Sequence, residues 1–145
     1  MTLDEELHAF PLTGRFLFGR LREALSREER AALEALPEEI AHYTRSARIV
    51  EAGSACNRST LLVEGFIIRG LERTNGSGTR RSALSVHVAG DFVDLHCFAL
   101  KRLDHNVDTI GPAKLAYISH EKLYETLRDM PHLARFLWSS TLLDA

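Results

Sequence analysis

Between about Glu39 and Ile118 the apolar residues fall in short runs divided by turn residues, and this pattern constrains the fold more than any other feature of the sequence. Ala47-Arg48-Ile49-Val50 runs to Gly53, and Leu61-Leu62-Val63-Glu64-Gly65-Phe66-Ile67-Ile68-Arg69 is rich in β-branched and apolar residues. Leu84, Val86 and Val88 alternate with Ser85 and His87, the period of a half-buried strand. Asn106–Ile110 and Lys114–Ile118 read as two further short strands divided by a Gly111-Pro112 turn. Thr74-Asn75-Gly76-Ser77-Gly78 is the clearest turn, because Asn-Gly readily takes positive φ. Many short strands at close spacing predict a sandwich or jelly roll.

The flanks have a different period. Thr2 to Glu5 and Ser26 to Glu29 both have the capping-box form that starts a helix. After Ser26, Ala32, Leu33 and Leu36 share one helical face, and Pro37 marks the stop. Phe16–Leu25 reads as a helical stretch, with Leu17, Leu21, Ala24 and Leu25 at helical spacing. At the other end, Ser119 can cap a helix over His120–Asp129, and Pro131 suits the first position of the next. That last helix carries two apolar stripes, Leu133, Phe136, Leu137 and Leu143 on one and Ala134, Trp138, Thr141 and Ala145 on the other. Two stripes imply two burial partners. The expected organisation is a single domain over 1–145: helices in 1–38, a roll in 39–118 and helices in 119–145.

Several function classes are excluded. With 18 basic and 20 acidic residues the net charge is −2, whereas a free-standing nucleic-acid binder carries a basic excess. The acidic N-terminus lacks the basic and apolar regions of a signal peptide, and no apolar run is long enough to cross a bilayer. A cytoplasmic protein without membrane contact is expected. The two cysteines, Cys56 and Cys97, lie far apart without metal-ligand spacing and read as reduced thiols. Neither a Gly-x-Ser-x-Gly elbow, a P-loop nor a Rossmann fingerprint occurs, and nothing in the order of Ser, His and Asp picks out a nucleophile. The chain is not expected to be an enzyme.

Helices, short strands, Gly90-Asp91-Phe92, more strands and two closing helices follow the order of cyclic-nucleotide-binding domains. The segment from Gly90-Asp-Phe-Val-Asp-Leu-His-Cys to Asp104-His105 resembles the central stretch of Crp/Fnr-family transcription regulators. Pro131-His-Leu-Ala-Arg-Phe-Leu-Trp resembles the start of their dimerisation helix, and Leu62-Val-Glu-Gly-Phe with the Gly-rich hairpin before Arg80-Arg81 resembles the preceding strand pair. The resemblance implies an α+β protein centred on an antiparallel β jelly roll, a double-stranded β-helix, with flanking helices. It further implies an effector-sensing domain that forms a homodimer through Leu133, Phe136, Leu137, Trp138 and Thr141, and that acts allosterically on a DNA-binding domain. The sequence stops at Ala145, so DNA contact is expected only through a C-terminal domain absent from this chain.

The pocket of such regulators is similar to an anion cradle, with a Gly-Glu-Leu turn and an Arg-Ser-Ala segment supplying a phosphate-matching guanidinium. This sequence has Val93-Asp94-Leu95 and Asp104-His105-Asn106 instead. Cyclic AMP is therefore not the expected effector, and either a different small molecule or none is expected. Its candidate contacts are Gly90, Asp91, Asp94, His96, His105 and Asn106, with Arg80 and Arg81 offering positive charge from the hairpin. An iron–sulfur cluster is excluded, because two cysteines fall short of the usual four. His87, His96, Cys97 and His105 suggest a cupin-like metal site, but no His-x-His occurs and no metal is expected. The rival readings are such a cupin-like metal protein or enzyme, and a stand-alone small-ligand-binding module.

Overall fold

A computed structural model describes residues 1–75, 78–95 and 105–143. Three short helices come first: α1 (Leu3–Ala9), α2 (Arg20–Glu23) and α3 (Arg27–Glu34). The strands are β1 (Glu39–Tyr43), β2 (Arg48–Val50), β3 (Arg58–Asn75), β4 (Gly78–Val88) and β5 (Asn106–Ser119), and α4 (His120–Asp129) and α5 (Pro131–Leu143) close the chain. Both expected capping boxes form, with Thr2 accepting from Glu5 N at 3.2 Å and Ser26 from Glu29 N at 3.0 Å. Ser119 caps α4 through Lys122 N, also at 3.2 Å.

The strands pair antiparallel in the order β1-β5-β3-β4, with β2 also on β5. This is the antiparallel sheet with flanking helices that the resemblance implied. Among the described residues the strands are fewer and longer than expected. Asn106–Ile110 and Lys114–Ile118 are one continuous strand, because Gly111-Pro112 bends β5 without ending its pairing with β3. Opposite that bend the β3–β5 register shifts twice between Leu62 and Phe66. Gly65 sits there at φ +101°, against the backbone of Pro112 and Ala113, where a Cβ would collide. Paired irregularities of this kind curl a sheet.

The curl creates two apolar cores. Leu61, Val63, Ala116 and Ile118 face the helices and meet Phe16, Leu25, Leu33, Leu36, Leu123, Leu127, Leu133 and Leu137. The alternate residues Leu62, Leu115 and Tyr117 join Ile67, Val93 and Val107 inside the roll.

The expected helix over Phe16–Leu25 shrinks to the four residues of α2. Leu17 lies at φ +53° and Gly19 at +117°, neither helical, so the chain turns before Arg20. The turn drives Phe16 into the core edge-on to Phe92, with ring centroids 5.1 Å apart, and leaves Leu21 exposed. It also buries Arg22 completely. Arg22 donates to Glu6 and to the carbonyls of Thr13 and Phe16 at 2.8 and 3.1 Å, while Arg30 meets the other Glu6 oxygen at 2.7 Å. A buried guanidinium needs such acceptors, and a periodicity argument does not find them.

Candidate functional site

β4 delivers Ser85 and His87 to the inner face of the roll. Arg69 and Ile67 of β3 stand directly opposite them, so the four side chains share that face. The alternation expected for β4 holds, but its apolar members face outward: Val86 and Val88 are 60% and 51% exposed, and His87 is 1% exposed.

After β4 the chain turns at Gly90. Its φ of +105° and its approach to Arg15, where a Cβ would come within 2.8 Å of the backbone, leave room for no side chain. Gly90 N donates to Leu62 O at 2.7 Å, Leu62 N to Asp91 O at 2.9 Å and Val93 N to Thr60 O at 3.0 Å. These bonds pin residues 90–93 along the first half of β3.

The turn places Asp91 beside His87, with Oδ2 3.3 Å from Nδ1 and accepting from Val88 N at 3.2 Å. On the other side of the ring, His87 Nε2 lies 3.3 Å from Ser85 Oγ, which accepts from Arg69 Nε at 2.8 Å. Donors and acceptors match along this row when Nδ1 carries the ring proton. Asp91 accepts from Nδ1, Nε2 accepts the Ser85 hydroxyl and Arg69 donates to Oγ. Arg69, Ser85, His87 and Asp91 thus form an ordered polar relay on a face otherwise lined by Ile67 and Val107. Such a relay can hold a guanidinium in place or pass on a change in proton position.

A second polar region lies at the start of β3. A cavity of about 330 Å³ is lined by Glu51, Cys56, Arg58, Thr60, Asp94 and Tyr117, among others. Asp94 is buried, and its two oxygens accept from Thr60 N at 2.6 Å and Thr60 Oγ1 at 2.9 Å. Burial raises its pKa to about 6, against the lowering effect of the Thr60 bonds and the Arg58 charge. Burial also pushes the Tyr117 phenol upward, and the neighbouring Tyr43 adds to this.

The residues expected to form one pocket are therefore divided. Asp91 joins the relay, Gly90 shapes the turn that carries it, and Asp94 belongs to the cavity on the other side of Thr60. Asn106 accepts from Ala52 N at 2.7 Å and so fastens the loop after β2. His105 is buried. Arg80 and Arg81 lie in β4 opposite Arg73 and Glu72, with their side chains outside the described residues. His96 and Cys97 lie outside them altogether. Among the described residues no three His, Cys, Asp or Glu side chains converge as metal ligands would.

Reduced thiols were expected, and Cys56 is disulfide-bonded. The bonds from Thr60 to Val93 and Asp94 bring the segment entering β3 against residues 91–94, a proximity that sequence separation conceals. On α5, Leu133 and Leu137 are buried in the core of their own chain. Phe136 and Trp138 are partly buried against that core, and the Thr141 side chain is outside the described residues.

The sequence reading missed Arg69, Ser85, Thr60 and Tyr117, and it named His87 only as a metal ligand. The signal for Ser85 and His87 was present in their i, i+2 spacing, which puts both on one face of a strand.

No protein-family model matches the sequence, and no curated protein sequence does. Solved structures do match in three dimensions. The N-terminal domain of a transcriptional regulator from Streptomyces coelicolor A3(2) aligns with a TM-score of 0.69 at 20% identity, over 90% of this chain and 89% of that one. The sensor domain of the transcriptional regulator DNR from Pseudomonas aeruginosa aligns with a TM-score of 0.66 at 17% identity, over 87% and 83%. The catabolite activator protein of Thermus thermophilus aligns with a TM-score of 0.69 at 17% identity, over 87% of this chain, which spans only 58% of that protein. Identities this low establish architecture alone, and the architecture is the one these regulator domains share.

Proposed function

We propose that this chain is the effector-sensing and dimerising domain of a Crp/Fnr-type transcription regulator and not an enzyme. The observation that carries the reading is its correspondence, over most of both chains, with domains that are themselves the N-terminal or sensor portions of regulators. The inner face of the roll supplies a place for an effector, where Arg69, Ser85, His87 and Asp91 are already ordered. An effector that binds there more tightly in one packing of α5 than in another would bias that packing. Differential affinity of this kind is the physical requirement for allostery. DNA is contacted through a separate domain, since the described residues form a single sensor-like unit and the chain carries a net charge of −2.

Cyclic AMP is not the effector in this reading. After Gly90 the sequence has no Gly-Glu-Leu turn, Asp104-His105-Asn106 stands where the Arg-Ser-Ala segment is expected, and Asp94, which follows Gly90 closely, is committed to Thr60. Calorimetry with cyclic AMP and cyclic GMP tests this. No heat is expected at micromolar concentrations, and micromolar binding abolished by His105→Ala would overturn the assignment. A screen of small acids by thermal shift tests the positive half. The shift given by a true effector should vanish in Arg69→Gln and His87→Ala, and its survival in both would remove the relay as the site.

A further inference from the structure

We infer that the Cys56 disulfide is a thiol–disulfide exchange site, entered through the neighbouring cavity by a small thiol that carries a carboxylate. The inference is independent of the effector site, because the cavity opens at the β2–β3 connection and is lined by none of Arg69, Ser85, His87 and Asp91.

Four observations converge on it. The cavity volume, about 330 Å³, is at the lower end of what small-molecule sites enclose, and Cys56 forms part of its wall. Arg58 supplies a fixed cation there. Its guanidinium lies 3.7 Å over the Tyr117 ring and its Nη1 is 3.2 Å from Glu39, while the side chain remains 46% exposed. Tyr117 forms part of the same wall, and its ring is the surface on which the Arg58 guanidinium rests. Asp94, a carboxyl poised near pH 6 by burial, also lines it.

A carboxylate on Arg58 with its thiol toward Cys56 would use all four features. The thiol of the first molecule passes its proton to the Asp94 carboxylate, and its sulfur attacks Cys56 Sγ. A mixed disulfide forms at Cys56, and the partner cysteine leaves as a thiolate that takes a proton back. A second thiol attacks the sulfur of the first, releasing Cys56 as a thiol. Overall, one protein disulfide and two small thiols become two cysteine thiols and one small disulfide. Two electrons and two protons move to the protein. The other ionisable groups lining the cavity are Glu51, Arg58 and Tyr117, of which Arg58 offsets the Asp94 charge, while Glu39 and Tyr43 act on Tyr117.

The test treats the folded chain with mercaptoacetate or 2-mercaptoethanol at equal thiolate concentration. New thiols are trapped with iodoacetamide and counted by mass. Cys56 should open without denaturant, about tenfold faster with mercaptoacetate, the scale of one charge-assisted contact. Arg58→Gln should abolish the preference, so that the two thiols open the disulfide at one rate. Asp94→Asn should slow both reagents at pH 7 while the unfolding midpoint stays at or above that of the parent. Peptide maps without reduction should join Cys56 to Cys97, the other cysteine in the sequence. Opening only in denaturant, equal rates with the two thiols, a free Cys56 thiol in the oxidised protein, or a Cys56–Cys56 link between two chains would each overturn the inference.

Discussion

Replacing Asp94 by Asn should stabilise the protein at pH 7, although it removes a carboxylate that accepts two hydrogen bonds. The folded-state pKa is about 6, raised from 3.8 by burial. A carboxyl with a raised folded pKa opposes folding when ionised, and this opposition is relieved as pH falls from above 6 toward 4. The shift of 6 − 3.8, about 2 units, corresponds to about 3 kcal/mol at 1.36 kcal/mol per unit. Asn keeps the acceptor for Thr60 N and can donate to Thr60 Oγ1, whose own proton is free to rotate elsewhere. With some loss for imperfect geometry, Asn should gain about 1–3 kcal/mol at pH 7. Urea unfolding of both proteins with the disulfide intact, at pH 4, 5, 6 and 7.5, measures the difference and cancels every other titrating group. The Asn advantage should shrink toward zero or reverse at pH 4. A difference independent of pH, or a parent that loses stability relative to Asn as the pH falls, would refute the account of Asp94.

Three further outcomes are expected. Arg22→Ala leaves the buried Glu6 to Arg30 alone and takes a charged donor from the Thr13 and Phe16 carbonyls, and should cost about 3–5 kcal/mol in denaturant unfolding. Gly90→Ala forces a Cβ against the Arg15 backbone at positive φ and should cost about 1–3 kcal/mol, with a larger loss wherever the Asp91–His87 contact is monitored by imidazole chemical shifts. If α5 mediates the dimer, Trp138→Ser should shift sedimentation toward the monomer with little change in the monomer's far-UV dichroism; a strict monomer in the parent at high concentration would remove the dimer from the proposed function.

The sequence by itself determined the features whose causes lie within a few residues of one another. Thr2 with Glu5, Ser26 with Glu29, and Ser119 with the N–H of Lys122 each close a helix end through a side chain three positions away, and all three were legible for that reason. The β-branched and apolar run in 61–69 and the period of two in 84–88 likewise announced strands, because both follow from the pleat of a single chain. The same pattern could not say which face of β4 turns inward. That choice depends on β3 lying opposite, and it buries His87 while Val86 and Val88 stay exposed. Leu17 and Gly19 turn the chain out of helical geometry, and the Arg22 that follows reaches a Glu6 sixteen residues away, a contact that outweighs helical spacing. β5 runs through Gly111-Pro112 because β3 offers a matching irregularity at Gly65. The relay and the cavity arise in the same way. Arg69 meets Ser85, and Thr60 meets Asp94, only after the roll has closed, since each pair spans two elements whose register is fixed by packing and not by local preference.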